Sequence, residues 1–273
     1  MVANYSRVLP SLPKECLVCI HHLNCGSLKP YWPRLEAIVY CLLVETNEGL
    51  LLVDTGFGLQ DYERPTPVMR LFTRLLRVPC DERETAVRQI VRLGYGVEDV
   101  RHIVMTHLHL DHAGGLRDLP AAKVHVYGPE IEAAKRREGY LGMGYQPAQW
   151  AHGPNWVLHR KVSESWFGFS AIPIAVDLEP KVLLVPLPGH TPGHCGVAIQ
   201  TSQGWLLHCG DAASPFHPTT DPHQPGSTSS SWLIRTIIGD HVPRLRALLQ
   251  EHGDEVRLIS GHDVHGFERY QEC

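Results

Sequence analysis

Residues 106–115 read THLHLDHAGG, which sets three histidines and an aspartate within six positions, directly after the apolar run Ile103-Val104-Met105. Polar groups at the end of a buried strand need partners, or their desolvation costs free energy. In an extended chain residues i and i+2 point to one face, so His107 and His109 can meet one metal ion together. Gly114 and Gly115 mark a turn, which lets Asp111 and His112 address a second ion beside the first. Neutral imidazole suits zinc, and a carboxylate can join or bridge two ions. A surface loop with scattered histidines does not account for this density.

Four residues cannot complete two sites, and the remaining donors are expected where an apolar strand runs into a turn. Asp54 in LLLVDTG, His190 in LPGHTPGH, Asp211 in LHCGD and His262 in LISGHD share that grammar. Together they point to one rim of a layered fold.

The surrounding pattern supplies the layers. Strands are predicted at 16–23, 36–46, 49–56, 101–107, 123–128 and 181–189, with a hairpin over 194–211 and a last strand and loop at 255–263. The second and third form a hairpin about Asn47-Glu48-Gly49. Helical spacing predicts helices at 85–94, stopped by Gly94, at 130–137, and at 241–253, ended by Gly253. The least regular stretches are 57–80 and 138–170. Within the first, PTPVMRLFTRLLRV has helical spacing and could be a lid, a dimer surface or core. The second is rich in aromatic residues and glycine, and is expected either to wall a pocket or to pack.

The chain has 273 residues, 43% of them hydrophobic and 20% charged, enough for one sizeable core and a single domain over 1–273. A net charge of −4 without a basic stripe argues against nucleic acid. No apolar run approaches the ~18 residues of a membrane span. The N-terminus lacks the apolar core of a signal peptide, so a cytoplasmic protein with its eight cysteines as thiols is expected. Cys16-x-x-Cys19 has no second pair, and in a strand its thiols face opposite sides; it reads as core rather than as a metal knuckle. Cys195 and Cys209 read as packing residues. Most of the 18 histidines must be structural. His21, His22 and His125 fall inside strands and are expected to be satisfied there, and His265 is expected at the surface.

Taken in order, VDTG, THLHLDHAGG, PGHTPGH, CGD and SGHD resemble the landmarks of the metallo-β-lactamase superfamily, over residues 54 to 262. The resemblance implies an α/β fold, the αββα sandwich: two mixed sheets face to face, helices on the outer faces, metals at one edge. By position His107, His109 and His190 resemble the ligands of a first ion, and Asp111, His112 and His262 those of a second. Asp211 resembles the carboxylate that bridges both, and Asp54 the aspartate that orients the ligands from behind. His194, which closes PGHTPGH, is expected either in such a supporting role or as packing. The implied cofactor is two divalent ions, zinc first, with iron, manganese or cobalt compatible.

Such cations lower the pKa of bound water to about 7 and supply a bridging hydroxide, which Asp111 can aim. The implied reaction is hydrolysis of a small molecule, a lactone or small carboxylic ester first. The lactonases that open acyl-homoserine-lactone rings share HxHxDHAGG, PGHTPGH and the pair His262-Asp263. They often carry a tyrosine three residues beyond the bridging aspartate, where this chain has Ser214, so either Tyr140, Tyr145 or His217 substitutes or the substrate differs. A glyoxalase-II-like thioesterase and a phosphodiesterase are the alternative hydrolases; the first appends a helical region after the last ligand, where eleven residues remain here. A non-catalytic metal-binding module is the alternative of another class, although no ligand is missing. A homodimer is compatible with the sequence.

Overall fold

The strand Ala37–Thr46 (β2) is buried along almost its whole length, and its alternate side chains enter two different cores. Val39, Cys41 and Leu43 face one; Tyr40, Leu42 and Val44 face the other. A strand buried on both faces reads as a continuous apolar run, because no position is left for water. Leu50 and Leu52 of β3 (Gly49–Val53) join the first core, Leu51 and Val53 the second. Val182 and Leu184 of β9 (Val182–Pro186), and Val197 and Ile199 of β10 (Cys195–Thr201), meet them there from the other side. That second core is the seam between two sheets.

The computed structural model describes residues 18–31, 36–137, 142–213, 222–223 and 240–271. Cys16, Tyr140, Ser214 and His217 lie outside the described residues. The first sheet runs β1 (Ile20–Leu28), β2, β3, β4 (Val100–Val104), β5 (Lys123–Tyr127) and β6 (Asn155–His159). It is antiparallel up to β3 and parallel thereafter. The second runs β12 (Val256–Ile259), β11 (Gly204–His208), β10, β9, β8 (Phe169–Pro173) and β7 (Glu164–Trp166), with only β11 and β12 parallel.

Helices α1 (Leu59–Glu63), α2 (Pro67–Leu75), α3 (Ala86–Arg92) and α4 (Gly128–Arg136) follow strands of the first sheet. Met69, Ile90 and Ile131 carry α2, α3 and α4 onto its outer core. Helix α5 (Val242–His252) covers the outer face of the second sheet through Val242, Leu245 and Leu248, and α6 (Val264–Gln271) packs Phe267 and Tyr270 against the seam. This is the αββα sandwich.

Two expectations change. The segment 57–80 is not irregular: it holds α1 and α2, the latter capped by the Thr66 hydroxyl, which accepts from Met69 N at 3.2 Å. The segment 138–170 contains β6 and β7 and begins β8. Short strands separated by Gly153 and Gly168, both at positive φ, give too few repeats to show a period. Leu51, wholly buried in the seam, tests the packing. Leu51→Ala should cost about 2–5 kcal/mol of unfolding free energy, read from the urea midpoint, through lost burial and the cavity left behind.

Candidate metal centre

Parallel pairing of β3 with β4 and of β11 with β12 brings the ends of these strands to one rim. The loop after β4 folds back over the end of β3: Thr55 N donates to His112 O at 2.9 Å, and Thr55 Oγ1 to the same oxygen at 2.8 Å. The second sheet is tied to this loop by Cys195 N donating to Thr106 O at 2.9 Å. His190 follows β9, Asp211 follows β11 and His262 follows β12.

The rim brings the expected donors together. Donor atoms of His107, His109 and His190 lie within 4.8 Å of one another, as do those of Asp111, His112 and His262. The Asp211 carboxylate stands between the sets. Its oxygens lie 3.9 Å from His107 Nε2, 3.3 Å from His190 Nε2, 3.5 Å from His112 Nε2 and 3.3 Å from His262 Nε2. A side-chain methyl at Gly261 would sit 2.6 Å from Asp211 Oδ1, so the approach of this loop requires glycine.

Behind the donors, hydrogen bonds decide which ring nitrogen faces the centre. Asp54 is wholly buried and takes left-handed backbone at φ 53°, a conformation tolerated by aspartate at some cost. Its carboxylate accepts from Thr106 N at 2.8 Å, Thr106 Oγ1 at 2.7 Å and His112 Nδ1 at 2.9 Å. The Thr106 proton is committed to Asp54, so its oxygen accepts from His107 Nδ1 at 3.0 Å. His262 Nδ1 donates to Ile38 O at 2.8 Å. Carboxylate and carbonyl only accept, so His107, His112 and His262 carry their protons on Nδ1 and present Nε2 to the rim. His194 Nε2 accepts from Asp211 N at 3.0 Å and so supports the backbone of that carboxylate.

Buried rings on the two sides are pushed in opposite directions. His107 and His109 sit well below the ordinary imidazole range, because burial and neighbouring imidazoles disfavour the cation. For His112 burial also opposes charge, but Asp211, Asp111 and Asp54 outweigh it and hold the ring well above that range. His262 follows the same logic against Asp211 and is raised to about 9. Burial pushes Asp211 up, but His262, His112 and His190 outweigh it and keep it ionised. His107 Nε2 is buried and makes no hydrogen bond. A nitrogen in that position is costly unless a cation takes its lone pair. Imidazoles and carboxylates converging in this way fit a divalent transition metal.

Glu130 of α4 is a residue the sequence reading missed. It is wholly buried and accepts from Leu108 N at 2.9 Å and Thr191 Oγ1 at 2.6 Å. It therefore ties the loop of His107 and His109 to the loop of His190. No local pattern marks it, since it lies some twenty residues from the first cluster on a helix. Thr106 stands inside the quoted motif and was legible there. Tyr145, one of three residues weighed as a substitute for the missing tyrosine, is wholly buried, and its ring packs on His109 at 5.0 Å. Its ring thus backs a candidate ligand. His265 is exposed, and Cys195 and Cys209 are buried, as expected. Cys19 is exposed, against the expectation of a core thiol, because it precedes the edge strand β1.

The sequence profile of the metallo-beta-lactamase superfamily matches residues 35–240. The chain belongs to the metallo-β-lactamase superfamily. A probable metallo-hydrolase of Mycobacterium tuberculosis is 47% identical over 260 residues, 90% of this chain and 80% of that protein. An N-acyl homoserine lactonase of Bacillus cereus is 32% identical over 231 residues, 84% of this chain and 83% of that protein. Among solved structures, an N-acyl homoserine lactone hydrolase with N-hexanoyl-L-homoserine at its metal centre superposes with a TM-score of 0.65 at 24% identity, over 93% of this chain and 95% of that one. Membership of this superfamily and the converging imidazoles and carboxylates together support divalent metal binding. Among the described residues, no helix is long and apolar enough to cross a membrane.

The supports can be tested apart from catalysis. Asp54→Ala should weaken metal binding about 10–100-fold in a competition with a chromophoric chelator. Glu130→Ala leaves Leu108 N and Thr191 Oγ1 buried without their acceptor. It should lower stability by about 1–3 kcal/mol for each orphaned donor and weaken metal binding in the same assay.

Proposed function

We propose that this metallo-hydrolase opens a lactone ring or cleaves a small carboxylic ester at a dinuclear centre, with zinc the first expected metal. His107, His109 and His190 would hold one ion, and Asp111, His112 and His262 the other. Asp211 would bridge them. The observation that carries this reading is the Asp211 carboxylate within 3.9 Å of four imidazoles drawn from both sets. The likeness to an N-acyl homoserine lactonase over 84% of the chain supports the choice of substrate class.

Bound divalent ions would supply the Lewis acidity that makes hydroxide available near neutral pH and polarises the carbonyl. The chain's own part is positioning and proton transfer. Asp111, with Oδ2 3.7 Å from His262 Nε2 and 3.9 Å from His112 Nε2, would accept a proton from the attacking water. The same carboxyl returns a proton to the ring oxygen as the acyl C–O bond breaks. Water and lactone thus become one hydroxy acid. Asp54, Thr106, His194 and Glu130 would hold the donors through these steps, so the frame does not reorganise as charge develops.

The test is kcat/KM of the metal-loaded protein on lactones of varied chain length, aryl esters, thioesters, phosphodiesters and a cephalosporin. Lactone or ester should lead. A phosphodiester or thioester preferred by more than about tenfold, ~1.4 kcal/mol in transition-state binding, overturns the substrate reading. Asp211→Ala should reduce turnover and metal content more than Asp54→Ala, because it would remove a donor to both ions.

Acid should empty the two sides unequally. A metal needs neutral imidazole, and His112 and His262 are the rings whose affinity for protons is raised. Loading that side at pH 7 should therefore release protons, and its affinity should fall as pH drops below about 9. His107 and His109, already neutral, should release few and keep their ion to lower pH. Calorimetry in buffers of different ionisation enthalpy, with metal content after dialysis at each pH, reads both effects. Equal proton release in both steps contradicts the assignment.

A further inference from the structure

Away from the rim, a second group of metal-type donors meets at the edge of the first sheet. Glu45 N donates to Cys19 O at 3.0 Å, and Ile20 pairs with Val44, so Cys19 and Glu45 stand opposite each other across β1 and β2. His21, two residues on from Cys19, shares its face of the strand. The donor atoms of Cys19, His21 and Glu45 all lie within 4.8 Å of one another. None of them belongs to the rim.

The spacing is informative. Tetrahedral zinc, with bonds of about 2.3 Å to sulfur and about 2.0–2.1 Å to nitrogen or oxygen, sets its ligands roughly 3.3 Å apart for N···O and roughly 3.6 Å for S···N. Here His21 Nε2 is 3.2 Å from Glu45 Oε1 and 3.6 Å from Cys19 Sγ. A supporting residue is also present. Tyr95 OH, just beyond α3, donates to Glu45 Oε1 at 2.6 Å, and its ring meets that of His21 edge-on at 5.7 Å. Hydrogen-bonded carboxylates of this kind hold their orientation toward a metal. Partial burial raises Glu45, but the hydrogen bonds from Tyr95, Cys19 and His21 outweigh it and keep the carboxylate ionised. Cys19 is exposed, which leaves a side open to solvent for a fourth ligand.

We propose that Cys19, His21 and Glu45 form a further divalent-metal site of the zinc class, with Tyr95 positioning the carboxylate. The thiol of Cys19 gives its proton to solvent on binding, water completes the tetrahedron, and the ion clamps the start of the edge strand β1 onto β2. A plain hydrogen-bond cluster of His21, Glu45 and Tyr95 is the competing account. It leaves the thiol with no role in cation binding.

Cobalt(II) separates the two. The candidate rim donors are nitrogen and oxygen only, so a thiolate-to-cobalt charge-transfer band in the near ultraviolet reports sulfur ligation elsewhere. The full-length protein, titrated with cobalt(II) beyond saturation of the rim, should develop this band over one further equivalent. Cys19→Ser should abolish it. His21→Ala should weaken the cobalt affinity read from the band by at least about tenfold, and Tyr95→Phe by about tenfold or more, as for residues that orient a ligand. Turnover of the best ester or lactone should stay unchanged in all three variants, which also shows them folded. Absence of the band in the unsubstituted protein overturns the proposal. So does a band that survives Cys19→Ser, or one whose titration His21→Ala leaves unmoved, since that is a lone thiolate adduct.

Discussion

The buried carboxylate of Asp54 constrains everything around it. An isolated carboxylate without exposure is prohibitively costly, and this one is tolerated because Thr106 N, Thr106 Oγ1 and His112 Nδ1 all donate to it. Those bonds fasten the end of β3 to the loop after β4. They also fix how that loop is presented: His112 directly, and His107 through the Thr106 hydroxyl. The left-handed backbone at Asp54 is the strain accepted to place the carboxylate there.

Once the rings are oriented, electrostatics divides the rim. Near His107 and His109, burial and the neighbouring imidazoles outweigh Asp211 and hold the rings well below the ordinary range. Near His112 and His262 the neighbours are carboxylates, and the same burial is overcome. The difference lies in the partners and not in depth, since His107 and His112 are both wholly buried. Identical side chains thus differ in their affinity for protons.

Histidine alone does not make such a site. His102, His125 and His159 lie on three neighbouring strands and form a head-to-tail chain, with Nδ1···Nε2 distances of 2.9 Å in both links. His102 Nε2 donates to Glu48 Oε2 at 3.1 Å, so His102 Nδ1 accepts from His125, and His125 Nδ1 accepts from His159. Burial and the neighbouring rings hold His125 down to about 3. Its nitrogens are satisfied by protein, whereas His107 Nε2 is not. What marks the candidate donors is that unsatisfied Nε2 atoms of His107, His109 and His112 occur together beside carboxylates.

Much was legible in the sequence because it is local. The donors of the THLHLDHAGG cluster are neighbours in one short loop after β4, which ends at Val104 and not at 107, and β2 and β3 announce two-sided burial by unbroken apolar runs. The later donors follow apolar strands and carry recognisable motifs. Other features were decided only by the tertiary structure. Glu130 acts on loops that surround residues 108 and 191, and no spacing rule reaches that far. The packing of Tyr145 on His109 is likewise decided by folding, because an aromatic neighbourhood suits a pocket wall and a core equally. Cys19 changed from core thiol to exposed donor because the pairing of β1 with β2 places it opposite Glu45, a contact made across twenty-six positions of chain. The sequence determines which groups can bind, through residue type and local periodicity. Which of them converge, and in which protonation state, depends on neighbours brought in by folding, because burial and charge are properties of the surroundings and not of the residue.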